Sequence, residues 1–170
     1  MAILTRDEIL RAVRDGAVRI EPFDEGTVGP ASIDLHLDRW FRVFHRHPQV
    51  FHVTEDADFD AITELVEVED SFLLLPGQAV HGVTRERIIL PDNLCGWLQG
   101  RSRFARLGLM VHITASFLQP GIANKQVLEM INVGPVPLAL YPGTAICQLI
   151  LEETRGRARY DGRFARQELP

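Results

Sequence analysis

Two short segments of this 170-residue chain hold the side chains best suited to chemistry. The first is Gly100-Arg101-Ser102-Arg103-Phe104-Ala105-Arg106-Leu107-Gly108. In a short helix Ser102 and Arg106, four apart, share one face. Guanidiniums, a hydroxyl and the free N–H groups of a helix start suit phosphate oxygens. They suit a solvated surface turn equally well, and no Walker-type Gly-x-x-x-x-Gly-Lys run decides between the two. The second is Glu129, within Gln126-Val127-Leu128-Glu129-Met130-Ile131. In a strand it shares a face with Val127 and Ile131, while Leu128 and Met130 point the other way. A carboxylate among such neighbours either pairs with a cation, an arginine above all, or has its pKa pushed up until it serves as general acid and base.

Other chemistries find little support. The six histidines include no i, i+4 pair on a helix, and no H-x-E precedes a P-C-x-x-C, the ligand signature of the zinc deaminases. No metal site is therefore expected. His112, in Val-His-Ile-Thr-Ala, reads as a hydrogen-bonded core histidine. Ser32 and Ser102 lack the Gly-x-Ser-x-Gly elbow of a hydrolase triad. Cys95 and Cys147 form no CxxC and no closely spaced pair, so neither a zinc cage nor a secreted disulfide framework is suggested.

The chain as a whole reads as one domain, residues 1–170. It carries 18 Lys+Arg against 23 Asp+Glu, a net charge of −5, which argues against a surface that coats nucleic acid. No run of 18 apolar residues and no apolar leader is present, so a soluble cytoplasmic protein without membrane contact is expected. Thr5 with Glu8 predicts a capped helix over 5–16. Ser32 to Leu37 alternates with period two and predicts a strand, with further strands at 40–44 and 50–53 and an acidic loop over 55–70. Short β-type runs then recur at 72–75, 79–83, 87–90, 96–98, 109–114, 126–132, 138–140 and 145–152, between Pro-Gly and related turns. This pattern predicts a mainly β fold, a β-sandwich or jelly roll with a short N-terminal helix. Leu75-Pro76-Gly77-Gln78-Ala79-Val80 and Tyr141-Pro142-Gly143-Thr144-Ala145-Ile146 read as two similar hairpin turns. The segment 154–170, with Arg155, Arg157, Arg159, Arg163 and Arg166, reads as a flexible tail or as a flap that orders over a polyanion.

Taken together, several of these segments resemble the dCTP deaminase family of the dUTPase-like superfamily. The likeness is carried by Pro30-Ala31-Ser32-Ile33-Asp34-Leu35, by Gly100 to Leu109, by Val111-His112-Ile113-Thr114-Ala115, by Pro120-Gly121, by Val127-Leu128-Glu129 with Asn132, and by Leu140-x-Pro142-Gly143. The resemblance implies a distorted jelly-roll subunit in a homotrimer with active sites between subunits. It implies zinc-independent hydrolysis of dCTP to dUTP and ammonia, feeding dUMP and dTTP synthesis, with Mg2+ accompanying the triphosphate and dTTP as a possible feedback inhibitor. By carry-over, Arg101, Ser102, Arg103, Phe104, Ala105 and Arg106 line the site and hold phosphates, with Ser102 and Arg106 reaching the catalytic centre. Glu129 is the proton donor and acceptor, Val127 and Leu128 lie along base and sugar, and Ala115 and Gln119 belong to the same site. Tyr160, Arg163 and Gln167 match the C-terminal nucleotide contacts.

The chain also departs from the family. Gln119 stands where an aspartate usually precedes Pro-Gly, Phe117 where some deaminases have arginine, Arg103 where serine is common, and Ile122-Ala123-Asn124 where aromatic-x-Gly is usual. Gln119 supplies hydrogen bonds but no carboxylate. It therefore weighs against the alternatives of a dUTPase or a bifunctional deaminase and dUTP pyrophosphatase. A catalytically silent nucleotide-binding trimer is the remaining alternative.

Overall fold

The computed structural model describes residues 2–45, 50–112 and 114–165. Helix α1 spans Arg6–Arg14 and buries Ile9 completely. Thr5 stands at its N-cap without a side-chain cap bond, and Glu8 pairs instead with Arg11 at 2.7 Å. The expected capping box is therefore not formed.

The strands are β1 (Arg19–Glu21), β2 (Ile33–Phe44), β3 (Thr63–Glu67), β4 (Phe72–Leu74), β5 (Ala79–Ile89), β6 (Leu94–Gly100), β7 (Leu109–Val111), β8 (Phe117–Leu118), β9 (Ala123–Asn132), β10 (Leu138–Leu140) and β11 (Ala145–Glu153). A single turn of helix, α2 (Ser102–Ala105), separates β6 from β7. Antiparallel pairing orders one sheet as β7-β9-β5-β2-β11-β6-β8, with β1 beside β5 and β3 beside β2, and β4 with β10 forms a separate ribbon. The long strands β2, β5 and β11 each shift register along their length. Such irregularities bend a strand and let one sheet curl over its own core. Leu35, Leu37, Phe41, Val80, Leu98, Leu128, Met130 and Leu149 fill that core. The sandwich-like, mainly β class expected from the turn spacing is the class observed.

Three local expectations are corrected. The runs at 32–37 and 40–44 form one strand, and those at 79–83 and 87–90 another, each continuing through an irregularity. Residues 50–53 form no strand. The acidic stretch 55–70 contains β3, which pairs with the outer half of β2. Glu64, Leu65 and Glu67 are exposed on that strand, so its composition reads as loop; edge strands commonly carry such charges.

The two Pro-Gly turns match each other, but neither closes the expected hairpin, because β4 pairs with β10 and not with β5, and β11 pairs with β2 and β6 and not with β10. Gln78 N–H donates to the Leu75 carbonyl at 3.0 Å and Thr144 N–H to that of Tyr141 at 3.2 Å. Gly77 and Gly143 take φ of 75° and 81°, the left-handed position of a type II turn that follows proline. Gly108 is needed for a different reason. Its φ is +87°, and a Cβ there would meet the Gly134 backbone at 2.7 Å. This close approach seats the end of the arginine segment against the end of β9. Gly108→Ala is expected to cost about 3 kcal/mol from left-handed strain and overpacking, lowering Tm by roughly 6–12 °C. Thermal unfolding checks this, and an unchanged Tm contradicts it.

Candidate active site

Strand register lines up one row of side chains across four strands. Leu65 of β3 lies opposite Arg42 of β2, Arg42 opposite His81 of β5, and His81 opposite Glu129 of β9. Directly opposed residues of antiparallel strands share a face. All four line one cavity of about 630 Å³. On β9, Leu128 and Met130 are buried in the core while Val127 and Glu129 stay half-buried at the cavity, as period two requires.

Glu129 finds a partner, and it is not an arginine. Its Oε2 lies 2.9 Å from Nδ1 of buried His112. Neither atom has any other polar partner among the described residues. His112 directly follows β7 with φ of +53°, a conformation uncommon outside glycine. The His112 N–H donates to the Glu129 carbonyl at 2.7 Å, and the ring Nε2 lies 2.9 Å from the Ala115 carbonyl. A carbonyl only accepts, so this contact places a proton on Nε2 and turns Nδ1 toward the carboxylate. Burial raises the Glu129 pKa. The His112 hydrogen bond and charge, a backbone hydrogen bond and His81 outweigh burial and hold it below the ordinary carboxylate value. The upward shift considered from sequence is therefore replaced by a net downward one, because a histidine fills the place imagined for arginine. His81 is itself held below the ordinary histidine value, first by burial and then by Arg42, against the pull of Glu129.

The residues singled out from sequence fall into two groups. Glu129, Val127, Ala115, Gln119 and Tyr160 line the cavity together. Leu128 does not present its side chain there, since it is fully buried in the core. Arg101, Ser102, Arg103, Phe104, Ala105 and Arg106 are not in the cavity wall. Arg101 is committed elsewhere: it pairs with Asp34 at 2.9 Å and donates to the Ala145 carbonyl at 2.9 Å, pinning the start of α2 to β2 and β11. Phe104 packs on the core, while Ser102, Arg103, Ala105 and Arg106 are exposed.

The arginine-rich tail lies on its own chain through residue 164. Thr154 N–H donates to Asn93, Ala158 to Asp92 and Tyr160 to Pro120, all carbonyls at 2.9–3.1 Å. Buried Asn124 donates through Nδ2 to the Phe164 carbonyl at 2.7 Å. Tyr160 and Phe164 thereby close one side of the cavity. Arg163 lies over the Phe164 ring, 5.6 Å from its centroid. Gln167 lies outside the described residues.

Sequence reasoning missed His81, Arg42, Asn124 and Phe164. It also read His112 as core alone, which its burial supports and its contact with Glu129 extends. The pairing register that exposes these roles has no signature in a single sequence. Among the described residues, no three His, Cys, Asp or Glu side chains converge as a metal site, and no helix is long and apolar enough to cross a membrane.

Comparison with known proteins gives consistent results. A family model described as dCTP deaminase-like matches residues 3–154. A protein of Parafrankia sp. named "dCTP deaminase, dUMP-forming" is 41% identical over 99% of this chain and 88% of its own length. One of the same name from Streptomyces coelicolor is 42% identical over 99% of this chain and 93% of its own. Among solved structures, 2'-deoxycytidine 5'-triphosphate deaminase from Agrobacterium tumefaciens superposes with a TM-score of 0.69 at 19% identity. The superposition covers 88% of this chain and 47% of that one, which is likeness of fold. With the model spanning nearly the whole chain and relatives of this identity along its full length, the protein belongs to the dCTP deaminase-like family.

Proposed function

We propose that the protein hydrolyses the exocyclic amine of dCTP, with Glu129 moving the protons and a second copy of the chain completing the site. The observation that carries this reading is Glu129 itself, a carboxylate at the cavity wall backed by His112 at 2.9 Å. As water bonds to C4 of cytosine, Glu129 takes one of its protons and delivers it to N3. It then takes the proton of the C4 hydroxyl and hands it to the amine, so that C4=O forms, the C4–N bond breaks and ammonia leaves. Its depressed pKa keeps Glu129 ionised at neutral pH, ready for the first transfer. This chemistry needs no zinc.

The split of the site residues supports a subunit interface. Glu129 faces the cavity, whereas the exposed groups of the 102–106 segment stand outside it. Around that segment lie exposed Leu107, Met110, Val133, Val136, Leu73 and Leu75. They are drawn together by the Val133–Gly108 backbone bond and by Asn132, whose side chain bonds the Leu74 and Val136 carbonyls. A contiguous apolar patch beside exposed arginines suits a homo-oligomer, a trimer by resemblance, in which one copy brings Ser102 and Arg106 to the Glu129 cavity of the next. Magnesium would travel with the triphosphate.

A second reading is favoured by the relatives' names, which give dUMP as product. Against it stands Gln119, a neutral amide in the cavity wall. Purified protein given Mg2+ with dCTP or dUTP separates the readings. Ammonia from dCTP with dUTP accumulating is the expected result; ammonia and pyrophosphate together from dCTP establish the dUMP-forming reaction, and no ammonia from dCTP overturns both.

A further inference from the structure

The cavity holds a second histidine for which the proposed chemistry has no role. We infer that His81 is a positioning residue for the reaction, standing between Arg42 and Glu129 in one cross-strand row and setting, by its own protonation, the pH below which Glu129 becomes a weaker proton acceptor. The inference rests on the reading of Glu129 as proton carrier.

The geometry places charge on both sides of this imidazole. From β2 it faces Arg42, and from β9 it faces Glu129. Phe44 packs edge-on against the ring at 4.9 Å. Farther out, His112 backs Glu129, Asp60 pairs with Arg42, and Lys125, which pairs with Asp38, lines the same cavity. Opposed side chains in an antiparallel pair have Cβ atoms roughly 5 Å apart, close enough for one charge to set the ionisation of the next.

The sign follows from this arrangement. A neutral His81 leaves the Glu129 carboxylate with His112 as its nearest ionisable partner. A proton on His81 puts a further cation beside the carboxylate, lowering its affinity for the proton that water must give up. Burial and Arg42 resist that protonation while Glu129 favours it, and the balance keeps His81 uncharged at neutral pH. Activity therefore drops, by up to about tenfold for a coupling of one pH unit, as pH falls through the His81 value, which lies below the ordinary histidine value. Without His81 the acid edge falls back to protonation of Glu129 itself, below pH 4.5.

Two measurements on the full-length protein test this. Ring titration of His81 by NMR is expected to give a midpoint below 6.5 in the parent protein. In Glu129→Gln that midpoint should drop by about one pH unit, because the carboxylate that favours the imidazolium is gone. A midpoint that ignores the substitution overturns the coupling, whatever the substrate. Profiles of ammonia release from dCTP against pH, for the parent, His81→Gln and His81→Leu, are expected to show the acid edge displaced to lower pH in both variants. An edge that stays in place overturns the role assigned to His81. Absence of ammonia from the parent protein overturns the deaminase reading alone, and the ring titration still decides the coupling.

Discussion

Glu129→Gln is expected to slow ammonia release from dCTP by about a thousandfold, the scale of a positioned acid and base in such reactions, while dCTP affinity stays within a few-fold. Glutamine matches the shape of the glutamate and can still accept or donate beside His112 Nδ1, so the cavity wall is kept. What disappears is a group able to take a proton from water and return it to nitrogen. The substitution therefore separates binding from chemistry. Isothermal titration with dCTP reads the first and single-turnover ammonia release the second. A variant that turns over at the parent rate removes Glu129 from the mechanism. A variant that neither binds nor reacts, but melts like the parent, assigns Glu129 to binding.

The second large effect concerns who supplies the rest of the site. Arg106→Ala and Glu129→Gln are each expected to be inactive alone, because each removes one half of every site. Mixed after reversible dissociation, they should recover activity, since a Glu129→Gln chain still brings an intact Arg106 to the cavity of an Arg106→Ala chain. Random reassembly of equal amounts leaves roughly a quarter of the sites with both halves intact. Recovery near that level supports sites between copies. No recovery, with size-exclusion chromatography showing that mixed oligomers formed, places the arginine and the glutamate in the same chain's site and overturns the interface.

Much of the scaffold was legible because its punctuation is chemical. Proline followed by glycine forces a turn, and the two type II turns at Gly77 and Gly143 fall where that pairing stands. Strand β3 stayed hidden because its exposed side chains are those of a solvated edge and its pairing with β2 comes from residues far back in the chain. Glu129 could be found because period two shows a carboxylate that shares its strand with core residues. Its partners could not, since His112 and His81 reach it through register, which is settled when β5, β9 and β7 align as a sheet. Arg101 illustrates the opposite error. Three arginines in one short segment look equivalent in sequence, yet Asp34, in another of the segments that carry the family likeness, claims this one for structure.

The aromatic side chains around the cavity have a practical consequence. The chain contains two tryptophans, Trp40 and Trp97. Trp40 lines the cavity, and Trp97 packs 4.9 Å from Phe117, which lines it too, while its Nε1 donates to Glu152 at 3.0 Å. Trp40 therefore reports on that space directly and Trp97 through Phe117, and under excitation selective for tryptophan no third indole dilutes the signal. Intrinsic fluorescence alone, without label or coupled assay, should follow occupancy of the site, and replacing either tryptophan would assign the signal to the wall it comes from.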